Sequence, residues 1–96
     1  KPFNGSDVLD VDGVFIEIGY ELKTDFVEKL VELNEIGEIK VDDRCRTSLP
    51  GFFAAGDVTT VPFKQTIISA GEGAKAGLEV YRYIQGDKAN ISIDWK

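Results

Sequence analysis

The sequence has 96 residues, 43% hydrophobic and 10% aromatic, which suits one folded domain and excludes a disordered tract. Its formal net charge of −6 argues against nucleic acid as a partner, because phosphate binding needs a basic face. No apolar run approaches the ~18 residues that span a bilayer, and the absence of histidine excludes imidazole catalysis and any histidine-ligated metal.

Ser6 to Val11 alternates weakly between polar and apolar residues. Asp12-Gly13 is a hairpin turn signal. Val14 to Ile18 (VFIEI) is β-branched and aromatic and predicts a strand ending at Gly19. Thr24 or Asp25 can cap a helix, with Asp25 and Glu28 near its positive end. Phe26, Val27, Leu30, Val31 and Leu33 then recur at helical spacing, and Asn34 to Gly37 stops the pattern. Glu38 to Val41 (EIKV) predicts a short, half-exposed strand. Leu49-Pro50-Gly51 is a turn, and Phe52 to Ala55 predicts a buried strand.

From Lys64 onward the pattern is ambiguous. TIISA reads as a strand or as the first turns of a helix. Ala74 to Ile84 is helical on either reading, with Leu78, Tyr81 and Ile84 on one face, and Gly86-Asp87 ends it. Ile91 to Ile93 reads as a last short strand or as tail.

Gly71-Glu72-Gly73-Ala74-Lys75-Ala76 matches the dinucleotide fingerprint G-x-G-x-x-[GA], with Asp94 placed 23 residues on as a ribose-binding acid. Two features oppose it. Glu72 would set a carboxylate beside a pyrophosphate, and the sequence stops at Lys96 before a third strand. The expected role of these small residues is instead close packing of one helix on a sheet. Gly56-Asp57 follows an apolar run and is compatible with a plain turn or with an acid at the carboxyl end of a parallel strand, where α/β folds bind ligands. On spacing alone the turn reading leads. Cys45, the one cysteine, lies between Arg44 and Arg46, which would favour a thiolate. It has no C-x-x-C partner, so a bystander thiol is the preferred reading. No internal disulfide is possible, which fits a cytoplasmic setting. The acids Asp25, Glu28 and Glu32 are expected to be solvated surface. The chain starts Lys1-Pro2, with no charged-then-apolar leader, and is expected to be processed or cut from something longer.

DGVFIEIGYEL, GEIKVD and TSLPGFFAAGDVTTVPFKQTIISAGEGAKAGLEVYRYI, in one unbroken order from about residue 11 to 85, resemble the C-terminal part of thioredoxin reductases. The resemblance is nearest to archaeal-type members and to the flavoprotein component of alkyl hydroperoxide reductase. It implies an α/β fold: the C-terminal part of a split, Rossmann-like, three-layer domain that binds FAD. On that expectation residues 1–96 are a single partial domain, and residues 86–96 are a tail of unclear assignment. The first half of that domain, with its true glycine fingerprint, and an inserted NADPH or NADH domain with a C-x-x-C pair would lie outside this sequence.

The resemblance further implies that Asp57 binds a ribityl hydroxyl of FAD and that Gly56 lets the backbone approach it. Lys64-Gln65-Thr66 would present backbone N–H groups to the flavin pyrimidine edge. No catalytic residue and no metal ligand is expected in the chain. The parent is expected to be an NAD(P)H-dependent disulfide reductase that serves a thioredoxin- or glutaredoxin-like protein and forms a homodimer, with no membrane partner. The chain alone is expected to be inactive. Two alternatives stay open: a related ferredoxin or flavodoxin reductase without a cysteine pair, and an independent non-catalytic module binding a nucleotide or a protein.

Overall fold

The computed structural model describes residues 4–88. The ambiguity at TIISA resolves as helix. Thr66–Gln85 is one α-helix, α1, entered from Gln65 in extended conformation. Its end is set by Gly86, whose φ of 56° is easy only without a Cβ and whose N–H donates to the Arg82 carbonyl. A 3-10 turn, Gly86–Lys88, follows. The 71–76 glycine pattern therefore lies inside a helix, not in a loop before one, and the dinucleotide fingerprint is excluded. Asp94 and Ile91 to Ile93 lie outside the described residues.

The expected helix from Thr24 to Leu33 is only a 3-10 turn, Asp25–Val27. Thr24 does not cap it by side chain; its Oγ1 donates to the Gly37 carbonyl at 2.8 Å. The following chain is drawn into a ribbon. Leu33 and Ile39 form an antiparallel bridge across the Asn34 to Gly37 turn. Asn34 Oδ1 accepts from the N–H groups of Ile36 and Glu38, and Gly37 takes a φ of 86°. Side-chain hydrogen bonds that favour a turn win over helical spacing here.

EIKV behaves as expected: Ile39 is buried and Lys40 exposed. Ile39 donates to Val58 O at 2.8 Å and accepts from Thr60 N at 3.0 Å, a parallel bridge to Thr59. Leu49-Pro50-Gly51 is a turn closed by Phe52 N donating to Leu49 O, with proline and a left-handed glycine in their favoured places. Beyond it, Phe53 bridges Arg46 in antiparallel sense.

Two strand expectations fail in this chain. Phe52 to Ala55 is half-buried, not buried on both faces. Val14 to Ile18 makes no strand, and Asp12-Gly13 makes no hairpin; Phe15 is 88% exposed and Ile18 95%. Pairing needs a partner, and the described residues place none beside them. The core is accordingly small: Val27, Val31 and Ile39, with Leu33, Val41, Phe52, Ala54 and Val58 against it. The radius of gyration of 19.7 Å exceeds the ~12–13 Å of a compact domain this long. Leu78, Tyr81 and Ile84, expected to face a core, are exposed. The helix glycines 71, 73 and 77 also face open space, with nothing within 4 Å of a Cβ built there. The close packing they were expected to permit is not made by the described residues.

Candidate functional site

The site is built where Phe52 to Ala55 ends and α1 begins. Gly56 is buried and turns the chain with a φ of 86°. Its carbonyl is held twice by Thr59, whose N–H donates at 3.0 Å and Oγ1 at 2.7 Å. Thr59 is fully buried, and its backbone is fixed in turn by the parallel bridge to Ile39. This double bond fixes the turn that presents Asp57 to solvent. The Asp57 carboxylate is exposed and accepts from Ser69 Oγ at 2.8 Å through Oδ1. Ser69 stands one turn into α1, its N–H donating to Gln65 O at 2.9 Å. A Cβ on Gly56 would stand 3.4 Å from Ser69 Oγ, an ordinary contact, so the positive φ is what calls for glycine here.

Gln65 caps α1 without any side-chain hydrogen bond. The first N–H groups of a helix have no intrahelical acceptor and carry roughly half a positive charge. Gln65 and Thr66 are exposed. They lie on the same helix end as Ser69, so the structure brings together Gly56, Asp57, Gln65 and Thr66.

Lys64 points elsewhere. Its ammonium pairs with Glu38 Oε1 at 2.8 Å and donates to the Thr59 carbonyl. That contact, first among the causes, holds the Glu38 carboxyl below its ordinary range. Lys64 thus braces the loop before α1 against the Ile39 strand. What the Lys64-Gln65-Thr66 segment offers a ligand is its backbone.

Cys45 is no thiolate. The two arginines are engaged, Arg44 with Glu79 at 3.0 Å and Arg46 with Asp42 at 2.6 Å. The thiol is buried and lies 3.2 Å from Glu72 Oε2. Burial first, then the Glu72 carboxylate, pushes its pKa up to about 11. Lys75 balances Glu72 at 2.9 Å.

Sequence reasoning missed Ser69, Thr59 and Glu38. Ser69 carried no signal of its own, since only the fold sets the first turn of α1 against Asp57. A groove of about 420 Å³ lies elsewhere, lined by Thr47, Leu49, Phe52, Phe53 and Tyr83 among others. It holds none of the Gly56 cluster. The candidate site is taken as the cluster, which holds the exposed Asp57 carboxylate and the N-terminus of α1.

Residues 3–79 match the family model for pyridine nucleotide-disulphide oxidoreductase. The F component of alkyl hydroperoxide reductase in Pseudomonas aeruginosa is 51% identical over 76 residues, 79% of this chain and 15% of the relative. The same component in Xanthomonas campestris pv. phaseoli is 44% identical over 96 residues, 98% of this chain and 18% of the relative. Among solved structures, Lactococcus lactis thioredoxin reductase superposes with a TM-score of 0.68 at 40% identity, covering 75% of this chain and 24% of that one. Thioredoxin reductase of T. acidophilum gives 0.66 at 47% identity, covering 77% and 24%. The chain therefore spans less than a fifth of these curated relatives and about a quarter of these structures, and within that span it shares their fold. The chain belongs to the pyridine nucleotide-disulphide oxidoreductase family.

Proposed function

We propose that this chain forms one wall of the FAD site in a longer, thioredoxin reductase-type disulfide oxidoreductase. Residues 1–96 are the C-terminal return segment of a split, three-layer FAD domain, and 86–96 are its tail. The bare apolar stretch from Val8 to Tyr20 and the open glycine face of α1 support this reading, since among the described residues both lack the partners their composition calls for. The observation that carries it is the buried Gly56 turn, which sets the exposed Asp57 carboxylate beside the uncapped N-terminus of α1.

The residues fit the cofactor. Asp57 has only Oδ1 engaged among the described contacts and keeps acceptor capacity for a ribityl hydroxyl. Gly56 leaves room for close backbone approach. The N–H groups of Thr66 and the first turn donate toward the flavin pyrimidine edge, where a helix N-terminus stabilises negative charge. When bound, FAD would carry electrons from NADPH or NADH to a cysteine pair outside this chain, and onward to a thioredoxin- or glutaredoxin-like protein. This chain's part is to bind and orient. Cys45 takes no part, being buried and held as a thiol. The longer protein works in the cytoplasm as a homodimer.

Asp57→Ala in the full-length protein tests the reading. Loss of a charge-assisted hydrogen bond costs about 1.5–3 kcal/mol, or roughly ten- to a hundredfold in FAD affinity. Flavin absorbance after exhaustive dialysis reads the loss, and full FAD retention would remove Asp57 from the site.

A further inference from the structure

We infer that Ser69 is a positioning residue for Asp57, holding the carboxylate in the rotamer that receives a cofactor hydroxyl. The inference rests on the FAD-site reading above and adds to it a residue on a different element. A serine hydroxyl inside a helix can turn back onto the carbonyl four residues earlier or point out to solvent. Here that carbonyl, on Gln65, receives the Ser69 N–H at 2.9 Å, while the hydroxyl crosses to Asp57 Oδ1 at 2.8 Å. The bond joins residues 12 apart in sequence and ties the Gly56 turn to α1.

Asp57 needs such a tie. Its side chain is exposed, and a free aspartate samples several rotamers, so binding would have to select one. A hydroxyl donating to Oδ1 fixes the carboxylate plane and leaves the second oxygen open. Glycine at 56 belongs to the same turn: its φ of 86° disfavours a side chain, and a Cβ there would only touch Ser69 Oγ at 3.4 Å. Ser69 itself need not touch the cofactor; it acts through Asp57.

The test is a cycle in the full-length flavoprotein with four variants: Ser69→Ala, Ser69→Thr, Asp57→Ala and the Ser69→Ala/Asp57→Ala double. FAD affinity is measured by reconstitution of apoprotein, alongside the thermal midpoint of that apoprotein. Ser69→Ala should weaken FAD roughly three- to tenfold, as for one hydrogen bond. The apoprotein midpoint should stay unchanged, and Ser69→Thr, which keeps the hydroxyl, should restore binding. Ser69→Ala should add less than about twofold in the Asp57→Ala background, because the two residues act as one unit. If Asp57→Ala releases FAD and Ser69→Ala does not, the positioning role is overturned and the site stands. An equal Ser69→Ala loss with or without Asp57 would also overturn it, as would a loss tracking a lowered apoprotein midpoint. If Asp57→Ala leaves affinity intact, the site reading falls and the positioning role falls with it.

Discussion

Val14 to Ile18 and Glu38 to Val41 are similar in kind, and the fold treats them oppositely. Ile39 is 4% exposed; Ile16 is 72% exposed. Ile39 has Leu33 on one side, antiparallel, and Thr59 on the other, parallel. Both partners lie close to it along the chain. Val14 to Ile18 has no such neighbour among the described residues. An apolar, β-branched run states a requirement for pairing and cover. Whether it is met depends on what else is nearby, and among the described residues the stretch from Thr24 to α1 meets its own.

The largest expected effect measures that contrast directly. In the isolated chain, Ile39→Ala should cost about 2–4 kcal/mol, because it opens the small core around Val27 and Val31. Ile16→Ala should stay within about 0.5 kcal/mol, as for an exposed position. Urea unfolding gives both values, and equal costs would break the comparison. If the proposed FAD domain covers the Val14 to Ile18 run in the full-length protein, the gap should close there.

A second measurement sharpens the same contrast. A bare apolar stretch drives association, and an unpaired extended segment invites another chain. The isolated chain should self-associate at micromolar concentration in sedimentation equilibrium. Phe15→Lys with Ile18→Lys, both at exposed positions, should weaken association tenfold or more, about 1.4 kcal/mol. A strict monomer would mean that the exposed run is covered by this chain itself.

The smallest expected effect concerns Cys45, on the self-sufficient side of the comparison. Its folded pKa is raised to about 11, above the 9.0 of an ordinary thiol. The neutral thiol is the favoured form in the fold. The stability tied to it is fully present below pH 9 and is lost as pH rises through about 11. The stability difference between wild type and Cys45→Ala should therefore shrink over that window, measured by urea unfolding at several pH values. A constant difference would mean the thiol is not held neutral by its burial and by Glu72. Turnover of the full-length enzyme should be near wild type in Cys45→Ser, and a hundredfold loss would give the sulfur a chemical role.

The site was legible to different depths at different residues. Gly56-Asp57 stood out as an apolar run stopped by glycine and acid, and the turn with a left-handed glycine is there. Gln65 and Thr66 were named by the resemblance alone, since the residue pattern left TIISA open between strand and helix. Lys64 stood out for its charge, and the fold spends that charge on Glu38, a residue 26 positions earlier. Ser69 was invisible, because serine in a helix carries no signal until its neighbour across space is known. The arginines around Cys45 left a thiolate open beside the preferred bystander thiol, and the surrounding burial and Glu72 hold the thiol.

Sequence by itself determined the local features, since these depend on residues a few positions apart. They include the turn at Leu49-Pro50-Gly51, the alternation of EIKV and the glycine stop of α1 at Gly86. Family membership was also legible, because it rests on order along the chain. Only the tertiary structure decided that Phe26 to Leu33 is not a helix, that TIISA is one, and that Ser69 meets Asp57. The physical reason is that helical spacing and a turn-forming Asn34 compete at similar energies, and distant contacts choose between them. Burial likewise belongs to the assembled surface and not to the residue, so Ile39 is enclosed and Ile18 is bare.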